Sequence, residues 1–305
     1  MKRLKRILEY LMGSEYVGPL IMAPGAPPVC KNEQGVQVAL EFVMSAEDIV
    51  DSLIYLKRLS PMADMSSLST LTDVSSPHLR SDPEWASEAN GLADSEIFSF
   101  GILRVGRFRV SSLTQRGSKI VSIARVPFGV PALDTICSDP EAEEVRDLVT
   151  AGKRAVIAVW GPSSISSSVF VYSLLKEVND SARRVIFILE RSLTFLLNHD
   201  SSIVIQSELN TDVPSFERGL LNASPFSPDL IYIGDVWPSD EITSLCSMTR
   251  AGATTILSSA SLTGAQILRK FRSEPGERSE ESRAVTEMSV EILPAGGEKV
   301  SVCLH

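Results

Sequence analysis

Short, unbroken apolar runs alternate with segments of helical period through the second half of the chain. The runs are Ala155 to Trp160, Val185 to Leu189, Ile203 to Ile205, Asp229 to Gly234 and Thr254 to Leu257. Helical segments such as Ser166 to Val178 and Ser239 to Arg250 fall between them. A strand that is apolar on both faces is buried on both faces, and strand–helix alternation predicts a mainly parallel sheet covered by helices. The first half reads differently. Ile97 to Gly101, Gly106 to Val110 and Lys119 to Arg125 mix polar and apolar positions, as antiparallel strands of a small α/β domain do. Ahead of them, Leu4 to Met12 has the pattern of a short amphipathic helix, and Pro27-Pro28 precede a short strand. Ser45 is placed to cap a helix over Ala46 to Leu59, with Glu47 and Asp48 in its first turn. Near the end, Ser289 to Leu293 and Lys299 to Leu304 flank Pro294-Ala295-Gly296-Gly297 and predict a hairpin.

These elements sort into an N-terminal domain over 1–127, a linker over 128–141 marked by the flanking Pro127 and by Pro131, and a second domain over 142–305. Within the first, 59–95 is rich in Ser, Asp and Pro and reads as a long loop with at most one short helix. The second opens on a helix, Ala142 to Thr150, stopped at Gly152, and is broken by a polar stretch from Ser273 to Arg283. There is no internal repeat.

Composition narrows the partners. With 305 residues, 44% of them hydrophobic, the chain can build two cores. Its formal net charge of −9 argues against nucleic acid as a partner. Cys30, Cys137, Cys246 and Cys303 lie far apart with no C-x-x-C pair, so neither a disulfide framework nor a metal site is expected, and a reducing compartment is. The basic start, Lys2 to Arg6, is followed by no apolar run long enough for a signal peptide or a membrane span. It reads as the solvated face of the first helix, with a membrane-surface contact as the alternative. The expectation is a cytoplasmic protein.

Candidate chemistry lies where the first buried strand of the second domain gives way to a helix. Gly161-Pro162-Ser163-Ser164-Ile165-Ser166-Ser167-Ser168 occupies the position of a phosphate-binding loop. Further along come Gln206 and Glu208, then Asp212 and Phe216, then Pro228-Asp229-Leu230-Ile231-Tyr232-Ile233-Gly234-Asp235 and Ala251-Gly252-Ala253-Thr254-Thr255-Ile256-Leu257. Earlier in the chain stand Pro27-Pro28 and Gly106-Arg107-Phe108-Arg109-Val110. In order and spacing, from about Ser14 to Gly264, this series resembles the PilT-type secretion-motor ATPases, the class that retracts type IV pili. Their corresponding motifs are P-P, A-R-F-R-V, G-P-T-G-S-G-K-S-T, Q-R-E-V-x-x-D-x-x-x-F, P-D-I-I-L-V-G-E and A-E-T-G-H-L-V-F-G-T-L. The resemblance implies a PAS-like N-terminal domain, a RecA-like motor domain and a hexameric ring at the cytoplasmic base of a pilus machine.

The departures from that pattern fall on the chemistry. A phosphate loop needs glycines so that backbone N–H groups can turn inward, some of them at positive φ. Ser164 and Ser166 stand where those glycines belong, with β-branched Ile165 between them. Ser167 replaces the lysine that faces the β- and γ-phosphates. Removing one partner of a buried charge pair costs about 3–5 kcal/mol, or orders of magnitude in affinity. Only Gly161, Pro162 and the hydroxyl of Ser168 match the loop. The Walker B glutamate is replaced by Asp235, one methylene shorter. The acidic box E-D-P-I-E reads Glu190-Arg191-Ser192-Leu193-Thr194 and keeps only its first acid. The histidine box T-L-H-T-T reads Ile256-Leu257-Ser258-Ser259-Ala260, and the helices that follow in the family are cut short.

Arg107 and Arg109 alternate onto one strand face, and Arg116 and Arg125 follow. In the family, arginines of this region reach a neighbour's phosphates; an ordinary solvated strand face is the alternative. Trp160 and Trp237 read as packing residues, and Asp235 as a cap for a helix opening at Pro238-Ser239-Asp240-Glu241. The reading is therefore a catalytically inactive paralogue with no expected cofactor. It would form a homo- or hetero-hexamer with an intact PilT-type ATPase and sit peripherally at the inner-membrane platform of a type IV pilus system. Two alternatives stand beside it. One is a working ATPase in which Ser163, Ser167 and Ser168 hold Mg and ATP and Asp235 orients water; the other is a homomeric scaffold outside pili.

Overall fold

The computed structural model describes residues 2–13, 19–32, 35–59, 83–102, 106–126, 129–273, 285–295 and 299–305. The chain divides into two units, Met1–Phe128 and Gly129–His305, and each has its own cluster of buried apolar side chains.

In the first unit, helix α1 (Lys2–Met12) buries Leu4, Ile7, Leu8 and Leu11, the stripe that helical period predicts. Strands β1 (Leu20–Met22), β2 (Val29–Asn32) and β3 (Gly35–Val38) precede helix α2 (Ala46–Arg58). A full capping box starts α2. The Asp48 N–H donates to Ser45 Oγ at 3.0 Å, and the Ser45 N–H donates to Asp48 Oδ2 at 2.9 Å. The segment read as a long loop contributes helix α3 (Pro83–Asn90); residues 60–82 of that reading lie outside the described residues. Strands β4 (Ser95–Ile102), β5 (Gly106–Gln115) and β6 (Ser118–Val126) complete an antiparallel sheet of order β3-β2-β1-β6-β5-β4. Phe100 and Phe108 stack on its inner face, 5.1 Å between ring centres.

Register settles where the four candidate arginines, Arg107, Arg109, Arg116 and Arg125, lie. Arg109 pairs with Ala124, whereas Phe108 pairs with Arg125. Arg125 is therefore on the Phe108 face, opposite to Arg107 and Arg109. Arg116 sits in the β5–β6 turn at φ 51°. The four do not form one surface. The solvated-face reading also fails at Arg109, which is 6% exposed.

In the second unit, α4 (Leu133–Ile136) and α5 (Pro140–Ala151) precede β7 (Ala155–Trp160). There follow α6 (Ser164–Ser181), β8 (Val185–Glu190), β9 (Ile203–Glu208), α7 (Phe216–Ala223), β10 (Leu230–Gly234), α8 (Thr243–Arg250), β11 (Thr254–Ser259), α9 (Gly264–Ser273), β12 (Thr286–Pro294) and β13 (Val300–Leu304). The sheet order is β13-β12-β7-β11-β10-β8-β9, parallel throughout except for the antiparallel pair β12–β13. This is a mixed α/β fold with a parallel-rich sheet. The closing hairpin is more than a hairpin: β12 runs parallel to β7 from Thr286↔Ala155 to Glu291↔Trp160 and makes β7 an interior strand. Asp139, at the start of α5, ties this hairpin down by accepting from the Val302 N–H at 2.7 Å and the Ser301 hydroxyl at 2.9 Å. Those two donors hold its carboxyl below the usual aspartate range.

Helix α8 starts at Thr243, not at Ser239, and Asp235 does not cap it. Asp240 instead accepts from the Trp237 N–H at 2.6 Å and closes a turn. The acceptor at the start of α8 comes from α7, where Glu217 takes the Ser244 N–H at 3.0 Å.

Candidate functional site

Strands β7, β8, β10 and β11 are parallel, so Trp160, Glu190, Gly234 and Ser259 end at the same edge of the sheet, where open α/β sheets bind their ligands. At β7 the connection to α6 is only Gly161, Pro162 and Ser163. Gly161 lies hard against β12, since a Cβ there would fall 2.3 Å from the Ile292 carbonyl oxygen. Ser163 is the N-cap, accepting from the Ser166 N–H at 3.2 Å, and its carbonyl takes the Ser167 N–H at 3.1 Å. Ser164, Ile165, Ser166, Ser167 and Ser168 are already helical. Nowhere from Gly161 to Ser168 does the backbone take a positive φ. The first turn of the helix thus runs through the stretch that a phosphate loop leaves open. Ser167 is fully buried and its hydroxyl has no hydrogen-bond partner among the described residues.

Glu190, at the end of β8, is 1% exposed and forms the centre of a polar cluster. Its Oε1 accepts from Ser168 Oγ at 3.0 Å, Thr194 Oγ1 at 3.2 Å and the Tyr232 hydroxyl at 3.3 Å. Its Oε2 accepts from the Tyr172 hydroxyl and the Thr194 N–H, both at 2.8 Å. The Tyr232 hydroxyl also lies 3.1 Å from Ser168 Oγ and 3.0 Å from Ser258 Oγ. Burial, reinforced by the neighbouring Glu190, pushes the Tyr172 hydroxyl well above the ordinary tyrosine range. The two tyrosine rings meet edge to face, 5.9 Å apart. α6, β8, β10 and β11 are joined through this one group of side chains.

Around the cluster the motif residues hold backbone. The Gln206 amide nitrogen donates to the Phe195 carbonyl at 2.9 Å and its oxygen accepts from the Leu197 N–H at 2.8 Å. Glu208 accepts from the Leu193 N–H at 2.8 Å, and Asp212 from the Glu208 N–H at 2.8 Å. Asp235 is half-buried, with its backbone in the left-handed region at φ 59° and its N–H donating to Ser258 Oγ at 3.2 Å. Arg191, which follows Glu190, stacks 3.8 Å from the Trp237 ring centre and pairs with Asp240 at 2.6 Å. Trp160 packs against His305 with ring centres 5.8 Å apart. Glu190 and Ser168, far apart in sequence, are brought together; Asp235 joins them only through its backbone and Ser258. Sequence reasoning passed over Tyr172 and Tyr232. Tyr232 carried a signal, a hydroxyl inside an otherwise aliphatic buried strand that must find a partner. Among the described residues no group of side chains could hold a metal ion, and no helix is long and apolar enough to cross a membrane.

A parallel-rich sheet whose first strand leads directly into a helix, with acidic groups at the ends of neighbouring strands, defines the P-loop ATPase fold. The chain is similar in sequence and in fold to PilT-type secretion ATPases. It is 27% identical over 139 residues to the type IV pilus ATPase PilU of Pseudomonas aeruginosa, which covers 46% of this chain and 35% of that protein. To a twitching motility protein of Neisseria gonorrhoeae it is 26% identical over 140 residues, covering 46% and 36%. The matched stretch thus spans about a third of the length of these curated relatives. The crystal structure of the pilus retraction motor PilT with bound ADP superposes with a TM-score of 0.68 at 20% identity, over 99% of this chain and 82% of that one. The Legionella pneumophila ATPase DotB superposes with a TM-score of 0.65 at 15% identity, over 100% and 79%. No protein-family model matches the chain.

Proposed function

We propose that this chain is a non-catalytic member of the PilT-type family, a structural or regulatory subunit of a type IV pilus or secretion motor. The observation that carries the reading is the first turn of α6. Ser163 caps the helix that a phosphate loop would delay, so the backbone N–H of Ser166 points at a side chain rather than outward. A magnesium triphosphate does not fit the residues present. No cation stands at Ser167, and the Ser168 hydroxyl is taken up by Glu190. The Glu190 carboxyl already has five donors around it. The working-ATPase reading has one observation in its favour, the buried Ser167 hydroxyl that no described residue engages.

In this reading the protein assembles into a ring, as a homo-hexamer or with an intact PilT-type ATPase, on the cytoplasmic face of the inner-membrane pilus platform. Arg107 is the best-placed side chain to reach a neighbour, being half-buried on an alternate-face position of β5. Calorimetric titration of the purified protein with Mg-ATP tests the proposal. No tight binding is expected, and a micromolar dissociation constant overturns it. Mixing with the cognate intact ATPase tests the assembly: association with a changed turnover per active site supports a mixed ring, and its absence removes that part. Arg107→Ala in the same mixture separates an arginine that acts on the neighbour from a passive spacer.

A further inference from the structure

We infer that a pocket at the amino-terminal edge of the second unit's sheet docks a segment of another protein that carries a basic side chain next to a large apolar one. The inference goes beyond the non-catalytic reading and does not depend on it.

In a parallel α/β unit each helix runs against the strands it joins. The carboxyl ends of α7 and α8 therefore lie beside the first residues of β10 and β11, at the edge of the sheet opposite to Glu190. A cavity of about 490 Å³ opens there. The turn after α7 lines it with Ser224, Ser227 and Asp229, and the end of α8 and the turn after it with Met248, Ala251 and Gly252.

The charge at this pocket has one sign. Both helices bring the negative end of their dipole to it, where cations are favoured. Among the described residues that line it, Asp229 is the only charged one. Its Oδ2 accepts from the Val185 N–H at 2.8 Å, which anchors the carboxylate, and its Oδ1 accepts from none of the described residues. Arg218 of α7 and Arg250 of α8 do not line the pocket. The rim, by contrast, is apolar. Phe226, between Ser224 and Ser227, is 59% exposed, and Leu221, three residues before Ser224, is 50% exposed. The turn that presents Phe226 is closed, with the Ser227 N–H donating to the Ser224 carbonyl at 3.1 Å and Ser227 itself at φ 46°. An exposed aromatic side chain beside a concave, polar floor is the usual anchor of a protein interface. A basic side chain supplies the cation that the lining lacks, and an apolar neighbour covers Phe226 and Leu221. An acidic segment meets repulsion from Asp229 and from both helix ends.

The test is fluorescence polarisation with the full chain and a dye-labelled peptide, Gly-Leu-Lys-Leu-Arg-Phe-Gly. Saturable binding is expected, weakening as salt rises. A peptide with Glu in place of Lys and Arg, and one with Ser in place of Leu and Phe, are each expected to bind at least about tenfold more weakly. Phe226→Ala removes the apolar anchor, and Asp229→Asn removes the charge while keeping an acceptor for the Val185 N–H; each is expected to weaken binding about tenfold. Ala251→Lys, a change at an exposed position, puts a cation into the pocket and is expected to abolish binding. No saturable binding, equal binding of the acidic peptide, or binding indifferent to all three substitutions overturns the inference. Self-association seen by sedimentation and lost in Phe226→Ala also overturns it, since the pocket would then belong to a second copy of this chain.

Discussion

Two halves of one edge of the sheet have fared differently. At the ends of β8, β10 and β11 every polar group of the Glu190 cluster has a partner, and the partners come from four elements. A few residues away, the first turn of α6 has a serine cap at Ser163 and an idle buried hydroxyl at Ser167. The difference teaches that the polar packing at the strand ends is satisfied independently of the helix start beside it. A buried carboxyl without partners costs far more than a helix start with one spare hydroxyl.

The sharpest way to break this contrast is Glu190→Ala. It strips the acceptor from Ser168, Tyr172, Thr194 and Tyr232 at once, and a loss of about 3–5 kcal/mol is expected. At about 2–4 °C per kcal/mol for a unit of this size, Tm should fall by roughly 10 °C. A melt within a degree or two of wild type would refute the cluster's structural role. Next comes acid. Because the folded-state pKa of Asp139 is depressed, its contribution is complete above the ordinary aspartate range and is lost as pH falls through the lower folded value. Asp139→Asn should therefore lower Tm by a few degrees near neutral pH, and the gap should close under strongly acid conditions. A gap independent of pH would mean that the carboxyl charge is irrelevant to the hairpin. Ser163→Ala removes the cap alone and should cost about 1 kcal/mol by denaturant unfolding. Ser167→Ala is the smallest change and the most telling. No measurable loss, or a slight gain, is expected from deleting an unpartnered buried hydroxyl, and a clear loss would show that Ser167 has a partner after all.

Much of the fold was legible because it rests on periodicity. The runs at Ala155, Val185 and Thr254 could only be buried strands, and Gly152 ends its helix at φ 63°. The pairing of β12 with β7 was not legible, since a hairpin signal is local and says nothing about which strand the hairpin joins. The start of α8 was misread because Pro238, Ser239 and Asp240 make as good a turn as a helix start, and Asp240 is held by Arg191 instead. Within the candidate site, sequence located Glu190, Asp235 and the loop. It could not see that Tyr172 and Tyr232 converge on Glu190, because their convergence depends on three-dimensional register across α6, β8 and β10.

The position of β12 also bears on how the chain comes together. β7 is an apolar strand lying between β11 and β12, and β12 emerges from the ribosome well over a hundred residues after it. Until then one side of β7 presents unpaired backbone groups to any passing strand. Such long-range pairings slow folding and lengthen exposure to misassembly. Synthesis therefore includes an interval in which the growing unit carries an open sheet edge, and residues 286–305 end that interval.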